Sequence, residues 1–264
     1  MNKVILRVVL VVCILAVVVF AAALVRELLI EEQSLSFYSD LAAGIEVRPR
    51  EYEPGRHGSG SVQPGSGGVQ APNAGDEWVP YVDFEALELL FPGIVGWIRL
   101  DGTLIDYPVM QYTDNDFFLT RLPDGTAHRS GSIFLDYRNS SDFSDKSILI
   151  YGHESRPQDM FGALKNYREQ AFYDSHPVLY LHTPQKDYMI VLFAGYLLDS
   201  QNEQPPLHFD SDGDFLDYIG HLKSISFFSS DVMVGADDRI VSLCTCAYDF
   251  NDARLVITGV LVDY

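Results

Sequence analysis

Arg239-Ile-Val-Ser-Leu-Cys-Thr-Cys246 and Arg254-Leu-Val-Ile-Thr-Gly-Val-Leu-Val262 are the two runs whose reading decides the fold. Both are apolar and β-branched, and the segment between them, Ala247-Tyr-Asp-Phe-Asn-Asp-Ala253, is rich in turn formers. The pattern predicts two strands joined by a short connection. Cys246 ends the first strand and Arg254 opens the second, so a hairpin sets them against each other at one end of a sheet. Side chains alternate along a strand. Val241, Leu243 and Thr245 therefore make the expected core face, and Ser242, Cys244 and Cys246 are expected to look outward into a groove. A thiol at an open strand end beside a guanidinium is a candidate nucleophile, because the cation stabilises a thiolate or a developing oxyanion.

Upstream, short β-like runs recur at Ile94–Leu100, Thr103–Val109, Gly131–Leu135, Ser147–Gly152, Val178–Thr183 and Tyr188–Leu198. Few helices interrupt them. Asp83 is placed to cap a short helix carrying Phe84, Leu87, Leu90 and Phe91, stopped by Pro92-Gly93. Met160–Tyr167 reads as a second helix. A third begins after Ser211 and carries Phe215, Leu216, Ile219, Leu222 and Ile225 at helical spacing. Many short strands with few helices predict a mainly β protein, a closed or nearly closed barrel with helices on its outside. No internal repeat is visible.

The N-terminus is different in kind. Val4 to Val25 is interrupted only by Arg7, and Val8 to Val25 is wholly apolar, close to the length that crosses a bilayer. Lys3 and Arg7 precede this run and acidic residues follow it, which puts the short N-terminus in the cytoplasm and the rest outside. A cleaved signal peptide and a buried helix are the competing readings. The run exceeds a typical signal core and no polar region precedes a cleavage site. An uncleaved signal anchor over residues 1–25 is therefore expected. Residues 26–45 read as a continuing helix, and residues 46–76, with a Gly/Ser run from Gly55 to Gly68, as a flexible tether. The expected division is 1–25 anchor, 26–77 juxtamembrane helix and linker, and 78–264 folded domain, starting near Trp78.

The formal net charge is −19, and residues 76–264 carry thirty acidic against twelve basic side chains. Such a surface repels phosphate backbones and anionic headgroups, so nucleic-acid binding is not expected. Among three cysteines, Cys13 lies in the apolar N-terminal run. Cys244 and Cys246 are two apart on a strand, roughly 6.5–7 Å between Cα atoms, too far for an undistorted disulfide. No ligand spacing for zinc, phosphate loop or cofactor motif is present, so no metal and no cofactor are expected.

Of seven histidines, His153 stands apart. It follows the apolar strand Ser147-Ile-Leu-Ile-Tyr at a strand end, with Gly152 allowing close backbone approach, and precedes the polar loop Glu154–Asp159. Cysteine with histidine is the minimum for acyl transfer through a thioester. Against this, a lone histidine after a strand is more often structural, and an arbitrary cysteine is more often a small buried hydrophobe. His57 falls in the tether, and His128, His176, His182, His208 and His221 read as surface or packing residues. Asp249 and Asp252 are assigned to the turn in preference to a role in orienting His153.

These residues resemble those of a known family. Ser242-Leu-Cys-Thr-Cys246 resembles the Thr-Leu-x-Thr-Cys signature of sortases, with serine for the first threonine. Arg254 falls where those enzymes carry a catalytic arginine, and Leu149-Ile-Tyr-Gly-His153 is similar to the segment bearing their histidine. Val95-Gly-Trp-Ile98, Thr103-Leu-Ile-Asp-Tyr-Pro-Val109, Gly131-Ser-Ile-Phe-Leu-Asp136 and Met160-Phe-Gly-Ala-Leu-Lys165 are similar to class B sortases, as is the helix near Phe215–Leu222. The resemblance implies an eight-stranded sortase barrel and a cysteine transpeptidase on a Gram-positive cell surface. It implies Cys246 as nucleophile, His153 as general acid and base, and Arg254 as oxyanion and backbone binder. It also implies Asn115, Leu119, Cys244 and Thr245 as groove-lining residues. The implied partners are secreted proteins with a C-terminal sorting motif and an amine from a cell-wall precursor or a pilin. Two other readings share parts of this pattern. A membrane-anchored cysteine peptidase would resolve the thioester with water only, and a silent β-barrel binding domain would keep Cys246 buried and unreactive.

Overall fold

Each predicted β run becomes a strand, because each is flanked by turn residues and pairs an apolar face with a neighbour. The computed structural model describes residues 3–44, 82–153, 159–199, 201, 203–246 and 253–264. The strands are β1 Ile94–Arg99, β2 Asp106–Met110, β3 Ile133–Leu135, β4 Ser147–Tyr151, β5 Val178–His182, β6 Asp187–Asp199, β7 Arg239–Cys246 and β8 Ala253–Asp263. They close into a barrel in the order β1-β2-β3-β4-β7-β8-β6-β5. The β2/β3 and β4/β7 pairs are parallel and all the others antiparallel. Closure removes free sheet edges.

Two strands start later than the sequence predicts, for local reasons. Gly102 takes φ +76°, and Thr103 Oγ1 donates to the Leu100 carbonyl at 2.9 Å while accepting from Ile105 N at 3.1 Å. That turn occupies the start expected for β2. Likewise Gly131 takes φ +57° and Ser132 N bonds to the Phe118 carbonyl at 2.9 Å, leaving only Ile133–Leu135 for β3.

The helices lie along the chain as α1 Lys3–Gly44, α2 Phe84–Leu90, α3 Gln170–Ser175 and α4 Asp212–Ile225. Asp83 caps α2 as expected, its Oδ1 accepting from Ala86 N at 3.0 Å. The helix expected at Met160–Tyr167 is instead a 3₁₀ segment, Gly162–Arg168, followed by α3. Met160 takes φ +50°, outside helical space. Phe161, Leu164 and Tyr167 are all fully buried. Their spacing of three residues matches the eclipsed positions of a 3₁₀ turn.

α4 is capped by Ser211, whose hydroxyl accepts from Asp214 N at 3.1 Å, and it buries Phe215, Ile219 and Leu222. Those side chains join Phe193, Tyr196, Leu198, Ile240, Cys244, Val256 and Val260 in an apolar cluster between α4 and strands β6, β7 and β8.

Residues 1–43 form a unit of their own. Within it, α1 exposes its large apolar side chains from Leu10 to Phe20 at 54–71%. Counting only residues whose side chains are described, no helix is long and apolar enough to cross a membrane. The uninterrupted described stretch of α1 runs from Leu10 to Arg26. The expected tether of residues 46–76, and Trp78, lie outside the described residues.

Candidate active site

Strand register places the three sequence-selected residues at one end of three adjacent strands. In the parallel β4/β7 pair, Tyr151 is opposite Cys244, and Gly152 N donates to the Cys244 carbonyl at 3.1 Å. Continued by two residues, that register sets His153 alongside Cys246. In the β7/β8 pair Cys246 is opposite Arg254. Neighbouring strands are about 4.8 Å apart, and paired residues share a face. One row across the barrel wall is thus Tyr151, Cys244, Val256 and Tyr196. The next row, at the strand ends, carries Cys246, Arg254 and Leu198, with His153 reached by continuing the β4 register past Tyr151. α4 covers the first row, where the Tyr196 and Tyr218 hydroxyls meet at 3.3 Å. In the second row Leu198 still belongs to the α4 cluster, whereas Arg254 is half-buried.

Gly152 permits the approach of β4. A Cβ there would lie 2.4 Å from Ile133 Cδ1 and 2.7 Å from Phe161 Cδ2, so only glycine lets the chain reach His153 along this path. The His153 ring is half-buried, and its Nε2 lies 2.7 Å from the Leu119 carbonyl oxygen. Arg254 is half-buried and donates from a terminal guanidinium nitrogen to the Ala253 carbonyl at 3.1 Å. The side chain of Cys246 and residues 247–252, including Asp249 and Asp252, lie outside the described residues.

Two of the expected groove-lining residues are corrected. Cys244 and Thr245 are 4% and 3% exposed, and neither opens to solvent. Cys244 does share the outward face with Cys246, as strand parity requires, but the α4 cluster caps it. Ser242 is likewise covered, its hydroxyl 3.0 Å from that of Thr258 across the hairpin. Thr245 belongs to the core face, and its Oγ1 has no hydrogen-bond partner among the described residues. The other two remain accessible: Leu119 is 39% exposed and Asn115 is half-buried.

Burial pushes the Cys244 thiol up to about 12; nearby Arg254 pulls it down and Asp136 pushes it further up. At neutral pH it is therefore a protonated, inert sulfur. In native protein at pH 7.5, a thiol-directed vinyl sulfone is expected to leave Cys244 unmodified. After denaturation the same residue is expected to react. Peptide mapping by mass spectrometry checks this, and native labelling at Cys244 would contradict its burial. Cys244→Ser places a hydroxyl in an apolar cluster and is expected to cost about 1–3 kcal/mol of stability with turnover retained.

Sequence reasoning passed over Asp136. It directly follows β3, is fully buried, and gathers a network. Its Oδ1 accepts from Arg138 N and Nε, both at 2.9 Å. Its Oδ2 accepts from the Arg138 guanidinium at 2.8 Å, from Asn115 Nδ2 at 3.1 Å and from the Tyr151 hydroxyl at 3.1 Å. Asn115 Oδ1 in turn accepts from Tyr137 N at 3.0 Å, so the amide is held from both ends. Burial pushes the Asp136 carboxyl up, but the bonds from Arg138 and Asn115 outweigh it and hold the carboxyl below its ordinary value. The available signal was an acidic residue directly after Ile133-Phe-Leu with an arginine two positions on.

The remaining histidines behave as packing or surface groups. His182 is buried with Nδ1 3.0 Å from Asp187 Oδ1. His176 stacks on Phe172, and His128 Nδ1 accepts from Ser130 N at 3.1 Å. His208 and His221 are exposed, and His57 lies outside the described residues. Among the described residues, no group of three His, Cys, Asp or Glu side chains is arranged to hold a metal ion.

A closed barrel with a Cys, a His and an Arg at adjacent strand ends defines a class of cysteine acyl-transfer candidates. Comparison with known proteins narrows it. No protein-family profile matches the chain. Sortase B of Listeria monocytogenes is 36% identical over 178 residues, spanning 67% of this chain and 72% of that protein. The solved Staphylococcus aureus sortase B–substrate complex superposes with a TM-score of 0.65 at 32% identity, covering 68% of this chain and 84% of that one. A sortase B structure complexed with triglycine gives a TM-score of 0.65 at 32% identity, covering 68% of this chain and 85% of that one. The chain belongs to the sortase B family, whose members are cysteine transpeptidases.

Proposed function

We propose that this protein is a membrane-anchored transpeptidase of the outer cell surface that cuts a C-terminal sorting motif from secreted proteins and joins them to an amine of the cell wall or a pilin. The observation that best supports this reading is the pairing of Cys246 with Arg254 at the end of the β7/β8 ladder, beside the β4/β7 register that leads on toward His153. The Cys246 thiolate attacks the carbonyl carbon of the motif's threonine, forming a C–S bond. Arg254 stabilises the oxyanion of the tetrahedral intermediate. The scissile C–N bond breaks as His153 gives a proton to the leaving amine, and a thioester remains. An incoming amine then attacks the thioester, His153 takes its proton, and the C–S bond breaks to restore the thiolate.

Asn115 and Leu119 are the accessible side chains assigned to substrate binding. Asn115 retains one N–H and one lone pair beyond those used by Asp136 and Tyr137. The anchor is assigned to α1 because its exposed apolar side chains from Leu10 to Phe20 are better solvated by lipid than by water. An anchored enzyme meets secreted, membrane-held substrates at raised effective concentration.

The test uses full-length protein in liposomes, a panel of C-terminal sorting peptides and triglycine as acceptor. Mass spectrometry should find a thioester adduct on the peptide containing Cys246 and an amide-linked triglycine product. Hydrolysed product alone would point to a peptidase, and no adduct with any peptide would point to a silent binding domain.

A further inference from the structure

Gly131 sits against the turn that holds the candidate acid–base histidine. Its φ of +57° lies in the left-handed region. A Cβ built there would stand 2.4 Å from the Leu119 carbonyl oxygen, 2.6 Å from the Phe118 carbonyl oxygen and 2.8 Å from the Leu119 carbonyl carbon. No L side chain fits without moving that backbone.

The backbone is not free to move. Thr120 O accepts from His128 N at 2.9 Å and Phe118 O accepts from Ser132 N at 2.9 Å. Arg121 O accepts from Ser132 Oγ at 2.7 Å, and Arg121 also bridges to Ala127. Residues 118–121 are thus clamped onto 127–132, with Gly131 at the closest approach. The Leu119 carbonyl oxygen, in the middle of that clamp, lies 2.7 Å from His153 Nε2. A carbonyl oxygen only accepts, so Nε2 is the ring nitrogen that carries the proton. In the neutral ring the basic lone pair is then on Nδ1.

We propose that Gly131 is a positioning residue for His153: the missing Cβ lets the Leu119 carbonyl reach Nε2 and hold the proton there, which fixes the ring orientation and the tautomer whose basic lone pair is on Nδ1. The inference rests on the acid–base role proposed for His153. Gly131 touches neither substrate nor reacting atoms and acts only through the carbonyl. Displacing that carbonyl leaves the folded barrel intact but loosens the ring, and a misplacement of about 1 Å costs on the order of 10²-fold in rate.

The test compares full-length wild type, Gly131→Ala and Gly131→Asn, each in liposomes with ¹⁵N-labelled histidine. Long-range ¹H–¹⁵N spectra, assigned with His153→Gln, report which ring nitrogen of His153 is protonated. Wild type should show the Nε2–H tautomer, and this needs no turnover. A wild-type Nδ1–H tautomer overturns the proposal whether or not the variants fold. In Gly131→Ala the tautomer should become mixed and kcat should fall about ten- to a hundredfold, with KM rising as well because Leu119 moves with its carbonyl. Asparagine tolerates a positive φ but carries the same Cβ, so Gly131→Asn should fail as alanine does. Retention of the wild-type spectrum and kcat by Gly131→Asn would assign the effect to backbone strain and overturn the proposal. If sorting peptides are not turned over while the spectra change as expected, the functional reading fails and the positioning of His153 stands.

Discussion

Cys246→Ala is expected to abolish acyl transfer, lowering kcat/KM for a cleavable sorting peptide on the order of 10⁴-fold or more and removing the thioester adduct altogether. The neighbouring thiol on β7 cannot replace it. Cys244, the other thiol of the barrel, is buried and protonated. Arg254→Ala should behave differently. The nucleophile remains and still reacts with a vinyl sulfone, but the oxyanion loses its donor, so kcat falls on the order of 10²–10³-fold. Arg254→Lys should recover little of this, since an ammonium lacks the planar fork of the guanidinium. Adduct formation and steady-state rates separate the two defects. Persistence of the thioester in Cys246→Ala would remove the basis for the mechanism.

Asp136→Asn is expected to be the most damaging change among residues that do not react. The carboxylate accepts five hydrogen bonds, three of them from Arg138. An amide in its place turns one acceptor oxygen into a donor facing other donors. Breaking a buried ion pair costs about 3–5 kcal/mol. The lower end, about 3 kcal/mol, is expected here because the Arg138 side chain is 39% exposed and regains water. Urea unfolding should show a lower midpoint with an unchanged m-value. Because Asp136 also holds Asn115, KM for sorting peptides should rise.

The acid limb gives an independent readout. The folded Asp136 carboxyl titrates below its ordinary 3.8. Its stabilisation is complete above that value and is lost as pH falls through the lower, folded-state value. Wild type should therefore lose stability below about pH 4, and Asp136→Asn should lose less over the same interval. Parallel stability curves for the two proteins would show that the carboxylate contributes nothing through its charge.

Much of the fold was legible because strand signals are local. Each of the eight apolar runs is a strand, and the order His153, Cys246, Arg254 already placed three reactive groups at strand ends. Two boundaries shifted where a glycine at positive φ, Gly102 or Gly131, gave the chain a turn in place of a strand start. The expected helix at Met160–Tyr167 became a 3₁₀ segment because three side chains spaced three apart are all buried.

What the sequence by itself determined is the set of elements, the family resemblance, and the side of β7 on which Ser242, Cys244 and Cys246 stand, since alternation along a strand is a property of the backbone alone. Whether that side is open was decided only in three dimensions. α4, close in sequence to β7 but packed across three strands, closes over Cys244, while the Ser242 hydroxyl is taken up by Thr258 across the hairpin. The same holds for Asp136 and Gly131, whose partners at Asn115, Tyr151 and Leu119 lie 12 to 21 residues away. Burial and close approach depend on which distant segments come together, and no local pattern encodes that.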